Sequence, residues 1–388
     1  MIIHLVTFLT VLNTIGLKGS KVVVSLYAIE LGANPFSIGV LVSMYAFFPL
    51  LLAVYAGKIS DRFGVRFPML FGSFGLWLGL LLPYLIPRLP ALYFSAALIG
   101  AAHVFFQVSV HHLIGSLGDA EARTHNFSTY SLWTAVSTFI GPLFAGFSID
   151  HSGHAAAYFY LSLAALLSGL VLFFSPKIIP KGNKKLEAYH KKSVMDLIKD
   201  PPLRRTFITS GVVLTGVELF TFYFPIYGHS IGLSASLIGI VLSAYAAAAF
   251  VVRSSMPALV KKYSDEAILT YSLFVAGFAY LLFPFFQNVL VLILVAFVLG
   301  LGLGCGQPLS IMQTYNRSPA GRSGEALGVR ITVNKFTQFA VPIFFGSIGA
   351  AFGLIPVFWA NALFLVTGGY LNLNGKRSES VSLARPLK

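Results

Sequence analysis

Long apolar runs alternate with short polar breaks along almost the whole chain. Most runs reach the ~20 residues that a helix needs to cross the hydrocarbon core of a bilayer. Run lengths and turn residues predict twelve spanning helices, near 3–30, 36–56, 66–86, 91–115, 126–149, 155–175, 206–228, 236–257, 267–286, 289–314, 325–350 and 354–373. The breaks are short except for 176–205, PKIIPKGNKKLEAYHKKSVMDLIKDPPLRR, a polar linker with nine Lys or Arg residues. The expected fold class is an all-α membrane protein. One stretch jars with this pattern: NTIGLKGSKVVVSLY at 13–27 puts Lys18 and Lys21 inside the first apolar run. A charge at membrane depth is costly unless it faces protein or water.

Composition agrees with the pattern. Of 388 residues, 56% are hydrophobic and 10% charged, and mean hydropathy is +0.81. Soluble domains carry roughly 25% charged residues, so a water-soluble fold is excluded. The first run lacks a basic flank and a small-residue cleavage pattern, and it is too long for a signal peptide, so it is expected to remain as a span. Cys305 is the single cysteine, which excludes an intrachain disulfide and offers no Cys-rich metal motif. No metal or other cofactor is expected.

The net charge of +14 changes meaning once it is mapped onto the breaks. With both termini inside, Lys58, Arg62, Arg66, Arg123, the linker cluster, Lys261, Lys262, Arg317, Arg322, Lys376, Arg377, Arg385 and Lys388 all fall on the cytoplasmic side, and the opposite loops hold only Arg88. That is the positive-inside bias of a protein of the cell (inner) membrane. Nucleic acid is not expected as a partner; membrane lipid is.

Shifting the sequence by 200 residues aligns its halves. Tyr27, Gly32, Ile38, Gly39, Ser43, Tyr45 and Ala46 recur as Tyr227, Gly232, Ile238, Gly239, Ser243, Tyr245 and Ala246. Gly100, Gln107, Pro142 and Gly146 recur as Gly300, Gln307, Pro342 and Gly346. The expected organisation is a six-helix bundle at 1–175, the cytoplasmic linker at 176–205, a second bundle at 206–375 and a cytoplasmic tail at 376–388. Two six-helix pseudo-repeats are a transporter architecture, with the site near the midplane.

Between spans 2 and 3 the chain reads YAGKISDRFGVR, 55–66. Gly57, Asp61, Arg62, Gly64 and Arg66 resemble the G-x-x-x-D-R-x-G-x-R signature of the major facilitator superfamily (MFS), and the resemblance extends over the whole chain through the spans and the repeat. It implies an MFS fold, alternating access, a monomer, and a cytoplasmic latch in which Asp61 and Arg62 stabilise the outward-facing state. The second copy of the loop has decayed, with Lys261 standing at the position of Asp61. In span 5, Gly141, Pro142 and Gly146 resemble the GP-x-x-GG motif of proton-driven exporters, although Ala145 replaces the first glycine of the pair. A kink for close packing explains the same residues. Drug exporters of the family usually carry an arginine four residues before Gly100; Ala96 stands there.

Glu218 is the carboxylate nearest mid-membrane, with Thr215 and Thr221 on its face. A desolvated carboxylate exchanges protons closer to neutral pH than a hydrated one, which makes Glu218 the candidate coupling group. The repeat maps it onto Lys18, so a static ion pair is the competing reading. Thr14, Lys18, Lys21 and Ser25 form one polar stripe on span 1, and Arg330, Asn334 and Gln338 form another on span 11 beside Lys335. Asn13, Gln107, Gln307 and Tyr223 complete the candidate substrate-binding set, although single polar residues such as His103, Gln107 and His111 on span 4 can be satisfied by neighbouring helices alone. Excess deep positive charge attracts anions.

The expected function is secondary active transport of a small organic molecule, anionic or amphipathic, coupled to protons. Export is suggested by the span-5 motif. An organic-anion uptake symporter or exchanger stands as the alternative, and a lipid flippase or membrane sensor as the alternative of another class. No nucleotide loop, metal-spaced His cluster or nucleophile motif points to an enzyme.

Overall fold

A computed structural model describes residues 2–117, 120–175, 195–319 and 322–383. The helices are α1 (Ile2–Glu30), α2 (Pro35–Phe63), α3 (Arg66–Leu85), α4 (Leu89–Ser116), α5 (Ala120–Phe174), a short α6 (Met195–Lys199), α7 (Pro201–Ser230), α8 (Ala235–Lys262), α9 (Asp265–Leu282), α10 (Val289–Gly304), α11 (Gly306–Arg317), α12 (Ser323–Phe352) and α13 (Leu354–Leu383). Ten described segments are long and apolar enough to cross a membrane. One of them, Thr129–Phe174, has 46 residues and turns at Gly153 (φ 82°, ψ 170°), which makes two crossings. Ser323–Phe352 has the length but carries Arg330, Lys335 and Gln338, and it completes the twelve. Most of the linker, 176–194, lies outside the described residues.

Two departures from the expected spans have local causes. Span 10 is divided at Cys305, whose N–H bonds to Leu303 rather than continuing the ladder. The division falls in a glycine-rich run gripped from three sides. A Cβ at Gly302 would stand 2.9 Å from the Ser272 carbonyl of α9, one at Gly304 2.6 Å from Ala249 Cα of α8, and one at Gly306 2.5 Å from Val213 of α7. The second departure is the division of the chain into compact units. The first holds α1–α5 with Thr221–Ser243 and Pro342–Ser347, and the second holds the rest of the described chain. The units therefore do not follow the repeat boundary, because the α7–α8 turn and part of α12 pack against α5 and α2.

The repeat reappears as geometry. After α1, Leu31, Gly32 and Ala33 donate to Tyr27, Ile29 and Ala28; after α7, Ile231, Gly232 and Leu233 donate to Tyr227, His229 and Gly228. Both turns are Schellman closures, with φ 82° at Gly32 and at Gly232, a conformation that costs glycine little. The repeated glycines of the helices mark close crossings. A Cβ at Gly100 would lie 2.5 Å from the Tyr45 carbonyl, and Gly300 meets the Tyr245 carbonyl in the same way. Gly239 faces the Pro142 carbonyl and Gly39 the Pro342 carbonyl. Selection for backbone contact explains why these positions match across 200 residues.

Candidate functional site

In the first unit, α1 is pressed against α5 by Gly16 and Gly19; a Cβ at Gly19 would lie 2.6 Å from Leu161. The polar stripe borders this contact at Lys18. Thr14 and Ser25 are buried, Lys21 is 9% exposed and Lys18 is half-buried. The span-5 motif packs here: a Cβ at Gly141 would stand 2.9 Å from Lys18 Cβ, and Gly146 meets the Ala235 carbonyl at the start of α8. These residues hold α5 against α1 and α8, the packing role the sequence left open.

Asn13 sits in the middle of the first bundle, fully buried. Its amide nitrogen donates to Leu9 O at 3.0 Å, Ser73 Oγ at 3.2 Å and Ser168 Oγ at 2.5 Å. Its donors are spent on α1, α3 and α5, which separates it from the lysine stripe. Tyr223 is likewise sealed, with its ring edge-on to Phe222 at 5.6 Å. Gln107 is half-buried on α4, and His111 bonds the Tyr130 hydroxyl at 3.1 Å.

The second unit gathers a tighter cluster. Arg330 of α12 is 4% exposed. Its Nη2 donates to Gln307 Oε1 at 2.6 Å, Ser310 Oγ at 2.7 Å and Gln307 O at 3.2 Å, and its Nε donates to Ser310 Oγ at 3.1 Å. Asn334, one turn along, donates to Gln307 Oε1 at 3.3 Å and accepts from Ser210 at 2.9 Å. The guanidinium itself bonds only α11, and Ser210 of α7 joins the cluster through Asn334 and Ser310. Lys335 is turned away from this face and donates to Gln338 at 3.2 Å. Glu218, 6% exposed, lies deep in α7, and its charge and that of Arg253 both act on the buried Tyr245 hydroxyl. Arg253 is exposed, as expected of a snorkelling residue, and its Nε bonds the Gly304 carbonyl freed by the α10 break at 2.9 Å.

Around the latch sequence, Gly64 adopts φ 78° and ends α2. Arg62 is exposed over Phe63, and Arg66 donates to the Phe173 carbonyl at 2.9 Å, the favoured charge for a helix C-terminus. The Asp61 side chain lies outside the described atoms. Asp265, near its decayed counterpart, follows the cap Ser264 in the first turn of α9.

Three contributors were missed in the sequence. Ser310 and Ser210 look like ordinary small polar residues, and only the convergence of α11 and α7 on the Arg330 cluster singles them out. Asp150 is the third. Its carboxylate caps α8, accepting from Ala235 N at 3.0 Å and Ser236 N at 2.8 Å. A capping role is legible only in hindsight: the mirror helix begins with Pro35, which has no N–H to offer, and the residue at the mirror position is Ala350.

Comparison with known proteins agrees with this geometry. The profile of the Major Facilitator Superfamily matches residues 6–342. An uncharacterized MFS-type transporter of Methanocaldococcus jannaschii is 19% identical over 377 residues, 96% of each chain. The tetracycline resistance protein, class B, of Escherichia coli is 30% identical over 142 residues, 37% of this chain and 34% of that one. A bacterial homologue of the human lysosomal transporter Spinster, solved inward-facing and unoccupied, superposes with a TM-score of 0.82 at 13% identity, covering 97% of this chain and 96% of that one. That last likeness speaks for the fold alone.

Proposed function

This chain belongs to the Major Facilitator Superfamily, and from that premise we propose that it is a proton-coupled exporter of a small organic anion, working by alternating access with both termini in the cytoplasm. The observation that carries the coupling is Glu218, a carboxylate 6% exposed in the middle of a spanning helix. Such a group is held at membrane depth only for a use, and taking up or releasing a proton changes its charge where the dielectric makes charge expensive. In the second unit Arg330, Asn334 and Gln307 supply the positive and hydrogen-bonding character for the anion, and the first unit separately carries Lys18 and Lys21 as deep positive charge. The span-5 motif and the partial match to a tetracycline resistance protein tilt direction toward export.

Two glycines five helical turns from close crossings stand in open surroundings. In α2, Gly39 packs on α12, and Gly57 follows eighteen residues later. In α12, Gly346 packs on α2, and Gly328 precedes it by eighteen residues. Eighteen residues are five full turns, about 27 Å along the same face. Among the described residues, a Cβ at Gly57 would meet nothing closer than Val108 at 4.0 Å, and one at Gly328 nothing within 4 Å.

Proteoliposome flux of organic anions under an imposed pH gradient tests the coupling. Transport driven by the gradient, and uncoupled from it in Glu218→Gln, is the expected result. Flux that ignores the gradient, with Glu218→Gln behaving as the parent, refutes it.

A further inference from the structure

The Arg330 cluster is unusual in what it lacks. A buried guanidinium ordinarily keeps its charge beside a carboxylate, since an uncompensated buried ion is costly. Among the described residues no carboxylate lies within 4.0 Å of Arg330, and every partner is a neutral oxygen: the Ser310 hydroxyl, the Gln307 carbonyl and the Gln307 side-chain oxygen. Its Nη1 donates to none of them. Gln307 adds a second unmet donor. Its Oε1 accepts from both Arg330 and Asn334, so neither end of the amide can be exchanged, and Nε2 is forced the other way. That Nε2 is buried with no partner among the described residues. Leaving a buried donor unmet is costly, so the arrangement is unfavourable unless something answers it.

We propose that Arg330 and Gln307 form a binding site for the oxyanion of a ligand, a carboxylate, phosphate or sulfate group received by Arg330 Nη1 and Gln307 Nε2. A planar two-oxygen edge suits the fixed fork of a guanidinium, which presents its donors in one plane where a lysine presents a point charge. Ser310 and Asn334 hold the fork and the amide in place, and Ser210 in turn fixes Asn334, so these three are positioning residues. The assignment rests on the transport reading only in taking the oxyanion to be the head group of the substrate.

Isothermal titration of the detergent-purified full chain with inorganic phosphate, sulfate and benzoate, at constant ionic strength against chloride, tests the site without any transport step. Saturable binding of at least one oxyanion is expected. The decisive variant is Gln307→Glu, which sets a carboxylate against the guanidinium and supplies the missing counter-charge internally. Its thermal unfolding midpoint is expected to be retained or raised while oxyanion binding is lost. Arg330→Lys keeps the charge without the fork and is expected to bind about tenfold more weakly. The site is refuted if no oxyanion binds the parent better than chloride, or if folded Gln307→Glu binds as the parent does. Either result leaves the proton-coupling measurement on Glu218 untouched, and a failure of that measurement leaves this binding standing.

Discussion

Replacing Asp150 with alanine removes two acceptors from the first turn of α8 at once. The first N–H groups of a helix have no partner inside it. Here Ala235 and Ser236 donate to the two Asp150 oxygens at 3.0 and 2.8 Å, while Leu237 reaches Ser234 Oγ at 3.3 Å. Bonds to a charged acceptor contribute about 1.5–3 kcal/mol when buried, but Asp150 is exposed and Ser236 only half-buried, so water replaces the lost oxygens. About 0.5–1 kcal/mol per bond is then appropriate, with about 0.3–1 kcal/mol more from the helix dipole. The combined loss of about 2 kcal/mol corresponds to roughly thirtyfold faster exchange of the two amides through local opening. Hydrogen–deuterium exchange with mass spectrometry, on peptides covering 231–239, measures it. Asp150→Asn keeps an acceptor oxygen and is expected to lose about half as much free energy. Unchanged exchange at Ala235 and Ser236 in Asp150→Ala would refute the capping argument. A uniform rise over the whole of α8 would also count against it, since the effect of a cap is confined to the first turn.

The glycines separate close crossings from open surroundings. Gly100→Ala sets a Cβ 2.5 Å from the Tyr45 carbonyl and is expected to lower stability by about 1–3 kcal/mol in scanning fluorimetry. Gly57→Ala meets nothing closer than 4.0 Å among the described residues, so an unchanged midpoint is expected; a large fall in midpoint would contradict the open environment at Gly57. Asn13→Ala takes the shared donor from Ser73 and Ser168, which keep only their 3.4 Å contact with each other and that of Ser168 with Leu9 O, and is expected to cost about 1–3 kcal/mol while leaving the substrate KM alone. A raised KM with an unchanged midpoint would instead return Asn13 to the binding set.

Much of the architecture was legible without coordinates, and the reason is the solvent. A bilayer forces each crossing to be a helix of set length, so apolar runs alone marked the twelve spans. The 200-residue repeat was legible because backbone crossings such as Gly100 on Tyr45 and Gly300 on Tyr245 tolerate no side chain. Chemistry at the site was only half legible. Arg330, Asn334 and Gln307 stood out as polar residues in apolar runs, yet nothing local distinguished them from Asn13, equally polar and equally deep. Hydrogen-bond partners decide that difference. Asn13 faces two serines that absorb its donors, whereas Arg330 faces only neutral oxygens and keeps donors unspent. Those partners lie 20 to 155 residues away along the chain, where hydropathy and helical period carry no information. The sequence thus determined which residues could bear charge inside the membrane, and the packing of helices from distant segments decided which of those charges are left with work to do.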